Sequence, residues 1–309
     1  MQHPSASASQ EVALSVVCPL CRGTLDFQPE KIACSQCAAE FVYEAGFPDL
    51  IVGERFEDDG DPELAEYEAK SNTYLVENYF KPTFSKVLQG KRNPRLLSLG
   101  CGVGIDVDLL SASGFDTYGI DCGNRTKDWP KRHNHSRLYL ANGKNLPFED
   151  QSFDMVFCGC VFPHVGVIGD SNQVAPNCWH ERLSIAREMS RVLKPGGKIL
   201  VSSPNRWFPF DLFHGRNPSQ PYPRWSPPTS RFLLSAGDYR QLFTEAGCDS
   251  FQPLPVKGYW GFIRMKETWK GRLKAFPIEL VFNLVSTPAL GFLRTTPVNP
   301  WLVMLMERK

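Results

Sequence analysis

The chain has 309 residues, 42% hydrophobic and 22% charged, with a formal net charge of +1. Those values suit one large globular domain plus a small module, and they exclude collagen-like or wholly disordered chains. The near-neutral balance leaves no global electrostatic footprint for nucleic acid, and no unbroken run of about 18 apolar residues marks a membrane-spanning helix.

Residues 1–14 open with Met-Gln-His-Pro-Ser-Ala-Ser-Ala-Ser-Gln, which carries neither a basic n-region nor an apolar h-region. They are expected to form a disordered tail, and the chain is expected to be cytoplasmic. In a reducing compartment, paired cysteines point to a metal before they point to disulfides. Cys18-Pro-Leu-Cys21 and Cys34-Ser-Gln-Cys37 are two such pairs within residues 15–52. Each pair can wrap one side of an ion, and together they complete an S₄ set for Zn²⁺. So short a segment buries too little to fold alone, which assigns the ion a structural role.

Residues 53–63 are acidic and hold glycine, and read as a solvated linker. A helical pattern starts at Pro62, and Pro82 should kink or end it. Arg95–Leu99 is a short apolar run that predicts a buried parallel strand. Gly100-Cys101-Gly102-Val103-Gly104 follows, then a helix-compatible stretch. Strand, glycine loop and helix are the opening of a doubly wound nucleotide-binding sheet. The dinucleotide fingerprint needs a third glycine at position 105, and that residue is isoleucine. The next strand, Thr117–Ile120, ends in Asp121, whose carboxylate could accept from two ribose hydroxyls.

Leu138–Cys158 contains two more strands around Asn142-Gly143-Lys-Asn-Leu-Pro-Phe. A helix face at Ile185, Met189, Val192 and Leu193 runs into Lys194-Pro195-Gly196-Gly197, read as a turn, and a strand restarts at Ile199. Residues 204–230 are rich in proline and aromatics and suggest a lid over the sheet. Ser235–Gly247 reads as a capped helix, and Trp301–Met306 as a terminal antiparallel strand.

These motifs, in this order, resemble class I S-adenosylmethionine-dependent methyltransferases of the type 11 group. The resemblance rests on the G-x-G-x-G loop, the acidic strand end at Asp121, Leu146-Pro-Phe with Ser152-Phe-Asp154, and Leu193-Lys-Pro-Gly-Gly197. It implies an α/β, doubly wound, seven-stranded Rossmann-like sheet over residues 64–309, and an enzyme that uses S-adenosylmethionine. It also implies a cofactor site at Gly100, Cys101, Gly102, Gly104, Asp121, Asn142, Gly143 and Cys158. Two positions depart from the pattern: Ser98 replaces the usual acidic residue, and Asn142 the commoner aspartate. Residues 15–52, with the exit stretch Gly46–Leu50, resemble zinc-ribbon modules fused to or partnered with several methyltransferases.

Val161-Phe-Pro-His164 follows the fourth strand, and His164 is the candidate base, with a pocket-shaping role as its alternative. The expected acceptor is a small molecule, a glycan or a lipid-linked group, with an O, N or C nucleophile. Residues 259–296 mix Arg264, Lys266, Lys270, Arg272 and Lys274 with large apolar residues. They suit a helical subdomain over the site, with peripheral membrane contact as the alternative. An RNA methyltransferase guided by the ribbon is a rival, opposed by the ribbon's charge: Arg22 and Lys31 against Asp26, Glu30, Glu40, Glu44 and Asp49. A non-catalytic docking subunit is the other rival.

Overall fold

The computed structural model describes residues 14–56, 62–168, 172–213, 224–227 and 229–309. The expected disordered tail therefore falls almost wholly outside the described residues, as do the middle of the linker and the centre of the lid.

Three short antiparallel strands open the chain: β1 (Leu25–Phe27), β2 (Ile32–Cys34) and β3 (Glu40–Glu44). A turn with Ala45 and Gly46 in the left-handed region returns it as β4 (Phe47–Asp49). Helix α1 (Pro62–Leu75) runs through a π-helical turn, Val76–Phe80, into α2 (Lys81–Val87). Pro82 follows this π-helical turn, and the helix continues past it to Val87 instead of ending there. Next come β5 (Arg95–Leu99), α3 (Ile105–Ala112), β6 (Asp116–Asp121), β7 (Leu138–Leu140) and β8 (Phe153–Gly159). Helix α4 (Cys178–Val192) leads to β9 (Leu193–Pro204), and the lid region holds a two-residue ladder, β10 (Phe210–Asp211) with β11 (Arg224–Trp225). Helix α5 (Ala236–Glu245) starts at a capping box between Ser235 and Asp238. The chain closes with β12 (Cys248–Pro253), α6 (Ile263–Lys266), α7 (Trp269–Ser286) and β13 (Trp301–Arg308).

The sheet has eleven strands in the order β1-β2-β3-β4-β7-β6-β5-β8-β9-β13-β12, not the expected seven. The extra four belong to the cysteine-rich segment. Its last strand pairs in parallel with β7 through Asp49 and Leu140, and Leu50 N–H donates to Leu140 O at 2.8 Å. The ribbon thus extends the sheet instead of standing apart as a module.

Alternating side chains divide the interior. Leu97, Leu99, Val156, Ile199 and Val201 face α4 and α5, where they meet Ile185, Met189, Tyr239 and Phe243. Leu96, Met155, Phe157 and Leu200 face the opposite layer, built from Val76, Phe80, Phe84, Phe282 and Val285. Helices on both faces make the central strands largely apolar, with Ser98, Asp154, Ser202 and Ser203 as buried polar exceptions.

The Pro195-Gly196-Gly197 stretch is not a free turn. It lies inside β9, where Phe153 pairs with Leu193 and Met155 pairs with Lys198. The additional residues bulge out of the ladder, with Gly196 at φ +70°.

Candidate functional site

The chain runs outward from β5 to β6 to β7, then returns to β8 on the other side of β5. The switch point this creates lies at the carboxyl ends of the parallel strands, where open sheets bind ligands. The glycine loop follows β5, Asp121 ends β6, Asn142 follows β7 and Gly159 ends β8, so all four reach one edge.

Gly100, Gly102 and Gly104 adopt φ of +74°, +52° and +74°. L-residues rarely occupy that region, which is the physical reason for glycine at all three. A Cβ on Gly100 would lie 2.6 Å from Val161 Cγ2. The loop is anchored by Gly100 and Cys101 N–H, which donate to Ile120 O at 2.9 and 3.0 Å. Asp121 ties the two strand ends together: Oδ2 accepts from Gly102 N–H at 2.8 Å and Oδ1 from Gly123 N–H at 2.7 Å.

Acidic groups surround this loop. Glu68 of α1 accepts from Val103 N–H at 3.4 Å and pairs with Arg125. Asp106 and Asp108 occupy the first turn of α3. Asp106 is buried against Ser98, whose hydroxyl donates to it, and burial pushes its carboxyl up to about 6. The carboxylate that sequence comparison misses at Ser98 is thus delivered to the same spot from the next helix. Asp108 is turned the other way, where it accepts from His133 N–H, Asn134 N–H and Asn134 Nδ2. Trp129 is fully buried and donates from Nε1 to Gly102 O at 2.8 Å, bracing the loop from beneath.

The described part of the linker is largely exposed, as expected, but its backbone is tied to the strand ends at two points. Glu54 O accepts from Asn142 Nδ2 at 2.9 Å, and Phe56 N–H donates to Cys122 O at 3.0 Å. Asn142 Oδ1 meanwhile accepts from Lys144 N–H at 3.0 Å. Both ends of that amide are engaged, so Asn142 straps residues 54–56 across the ends of β6 and β7. The Phe56 ring meets the edge of His164, with centroids 6.0 Å apart, and Phe232 meets it from another side at 5.9 Å. Arg182 of α4 fixes the His164 turn. Its guanidinium is buried and donates to the carbonyls of Pro163, Val165, Arg231 and Phe232.

Two proposed cofactor contacts have other surroundings. The Cys101 thiol packs with Phe47, Val107 and Trp129, and the Cys158 thiol with Phe162, Ile185 and Ala186. Desolvation raises both thiols well above their usual range. Their contribution at the site is through backbone and packing, since the alternation of a strand turns Cys158 inward while Gly159 stays exposed. Gly143 sits against Leu99 and Ile185, with its Cβ position at ordinary contact distance.

At the far edge, the sulfurs of Cys18, Cys21, Cys34 and Cys37 all lie within 4.8 Å of one another. Cys18 and Cys37 are 3.7 Å apart, Cys21 and Cys34 3.4 Å. A disulfide needs about 2.05 Å, whereas four thiolates about 2.3 Å from one zinc lie roughly 3.8 Å apart. Gly23 N–H donates to Cys21 Sγ and Gln36 N–H to Cys34 Sγ, each at 3.4 Å. The backbone N–H groups of Cys37 and Gln36 pull the Cys34 thiol down to about 6. The donor set suits a closed tetrahedral zinc site.

Residues 97–201 match the family model described as "Methyltransferase domain". Those residues are similar to that domain. The match begins inside β5 and ends inside β9, and so spans the glycine loop, Asp121, Asn142 and His164. Among curated relatives, 24-methylenesterol C-methyltransferase 2 of Oryza sativa subsp. japonica is 30% identical over 43% of this chain and 34% of its own length. A Mus musculus protein named "Probable tRNA methyltransferase 9B" is 29% identical over 46% of this chain and 31% of its own. Demethylmenaquinone methyltransferase of Corynebacterium kroppenstedtii is 27% identical over 42% of this chain and 52% of its own. The chain therefore spans about half or less of these relatives.

Glu68, Asp106, Trp129, Phe56 and Arg182 border the candidate site and were not singled out by sequence reasoning. Glu68 and Trp129 come from helices with no motif of their own. Phe56 lies in a stretch whose acidity suggested solvent. Asp106 was legible only as the second residue of a helix.

Proposed function

We propose that the chain is an S-adenosylmethionine-dependent methyltransferase acting on an O, N or C nucleophile of a small-molecule, glycan or lipid-linked acceptor. The observation that carries this reading is the Asp121 carboxylate, which joins the left-handed glycine loop to the end of β6 at the switch point. The Glu68 carboxylate, which accepts from Val103 N–H, adds negative charge beside the loop and suits the cationic aminoacyl end of this cofactor.

The cofactor, when bound, supplies an electrophilic methyl group on a sulfonium. The protein's part is alignment and exclusion of water. The glycine loop permits close backbone approach, Asp121 accepts from the ribose hydroxyls, and the Phe56 strap held by Asn142 closes the adenine side. Held there, the cofactor would give that methyl group to the acceptor's O, N or C nucleophile. His164 is assigned to take the acceptor's proton, held in place by Arg182 through the neighbouring carbonyls. The four cysteines are assigned a structural zinc ion. Both cations of the ribbon are already paired, Lys31 with Glu40 and Arg22 with Glu188. That pairing weighs against phosphate binding there and so against an RNA-guiding ribbon.

Calorimetry on the zinc-loaded chain tests the assignment. S-adenosylmethionine should bind, and Asp121→Ala should weaken it tenfold or more, about 1.4 kcal/mol. A folded chain that does not bind the cofactor would sink the enzyme reading and favour a docking subunit.

A further inference from the structure

Helix α7 buries one face and exposes another that is equally apolar. Gly271, Ala275, Phe282 and Val285 are buried against the sheet side. Trp269, Leu273, Phe276, Leu280 and Leu284 are exposed, the first three each to more than 60%. Their spacing of four, three, four and four residues places them in one stripe, roughly 80° wide at about 100° per residue, opposite the buried face. Exposed apolar residues are ordinary singly; a continuous stripe over four turns is not. Beyond the helix, Phe292 is 70% exposed on the turn Gly291–Thr295, which Arg294 pins to the carbonyls of Val285 and Ser286.

Charge selects the occupant. Residues 259–296 hold six basic residues against two acidic ones, a net of +4 in a chain whose total is +1. Lys270 and Lys274 fall on one flank of the stripe and Arg272 on the other, with Lys270 over the Trp269 ring at 5.8 Å. A tryptophan and leucines flanked by cations match a bilayer interface with anionic headgroups: apolar groups enter the acyl boundary while the cations meet phosphate. Among the described residues no helix is long and apolar enough to cross a membrane, so α7 would lie along the surface.

We infer that α7 docks the protein on the surface of an anionic lipid bilayer. The segment leading into α6 and α7 starts at the active edge, where the Tyr259 hydroxyl bonds to Ser202 Oγ and a Cβ on Gly159 would lie 3.3 Å from it. The inference stands on the stripe and its charges and does not depend on methyl transfer.

Vesicle co-sedimentation tests it. The intact protein should bind vesicles of phosphatidylglycerol and phosphatidylcholine at least tenfold more tightly than phosphatidylcholine alone, and raised salt should weaken the difference. Leu273→Glu with Phe276→Glu should lose tenfold or more of that binding while S-adenosylmethionine binding and the thermal melt stay unchanged. Should the double variant misfold, Lys270→Glu with Lys274→Glu keeps the stripe and should abolish the preference for anionic vesicles. Equal vesicle binding by the wild type and a folded variant would overturn the inference. So would a wild type that ignores vesicles, and a dimer in sedimentation that the stripe variant abolishes would then assign the stripe to a second copy.

Discussion

The centre of the sheet and its ribbon edge share one hydrogen-bonded ladder but are stabilised by different means. Strand β5 is covered on both faces, with Leu96 and Leu97 fully buried on opposite sides. Strand β3 is covered on one face only, and its Val42 is 57% exposed. The ribbon's own core is Cys18, Leu25, Ile32, Cys34, Phe41 and Leu50, two of which are proposed metal ligands. Burial can hold the centre, while the edge is too small to be held by burial alone. Because β4 pairs with β7, the weaker region adjoins the strand end that carries Asn142 and the strap of residues 54–56.

The largest expected effect comes from removing the ion. Cys34→Ser should drop bound zinc from about one per chain to near none, measured by elemental analysis. Amide exchange should then speed up in β1 to β3 and stay slow in β5, β8 and β9. Equal loss of protection at the centre would erase the distinction between the two regions.

At the centre, Arg182→Met should cost about 3 kcal/mol or more in a urea melt, because it strands four carbonyls around the His164 turn. A loss under about 1 kcal/mol would mean that packing alone holds this turn.

A smaller, pH-dependent effect belongs to Asp106. Its carboxyl rises in the folded protein from an ordinary value of about 4 to about 6 through burial. The folded state therefore binds this proton more tightly than the unfolded chain. That contribution is present at low pH, fades as pH rises from about 4 to about 6, and is absent above. Asp106→Asn, neutral throughout, should gain on the wild type across that window by on the order of 2–3 kcal/mol. A difference in melting that is flat from pH 4 to 7 would show that Asp106 titrates normally.

The parts of the site that were legible in the sequence are those where one residue type is required by local backbone or by a local strand end. Gly100, Gly102 and Gly104 need left-handed angles, and Asp121 needs only to follow its strand. The cysteine pairs need only their own spacing. Asn142 was legible as a site residue, but its actual occupation was not, since the Glu54 carbonyl it holds is 88 residues away. Leu193-Lys-Pro-Gly-Gly197 was legible as a motif and misread as a turn, because the β8 pairing that makes it a bulge is tertiary.

Sequence alone thus determined the glycine loop, the acidic strand end and the cysteine quartet, all of which are dictated by contacts within a few residues, while the doubly wound sheet came from the resemblance of the motifs in their order. Only the tertiary structure decided that the ribbon extends the sheet, that residues 54–56 strap the site and that Asp106 faces Ser98. It also decided which face of α7 is left uncovered. An amphipathic pattern states that two faces differ, but what covers each face depends on packing between elements distant in the chain.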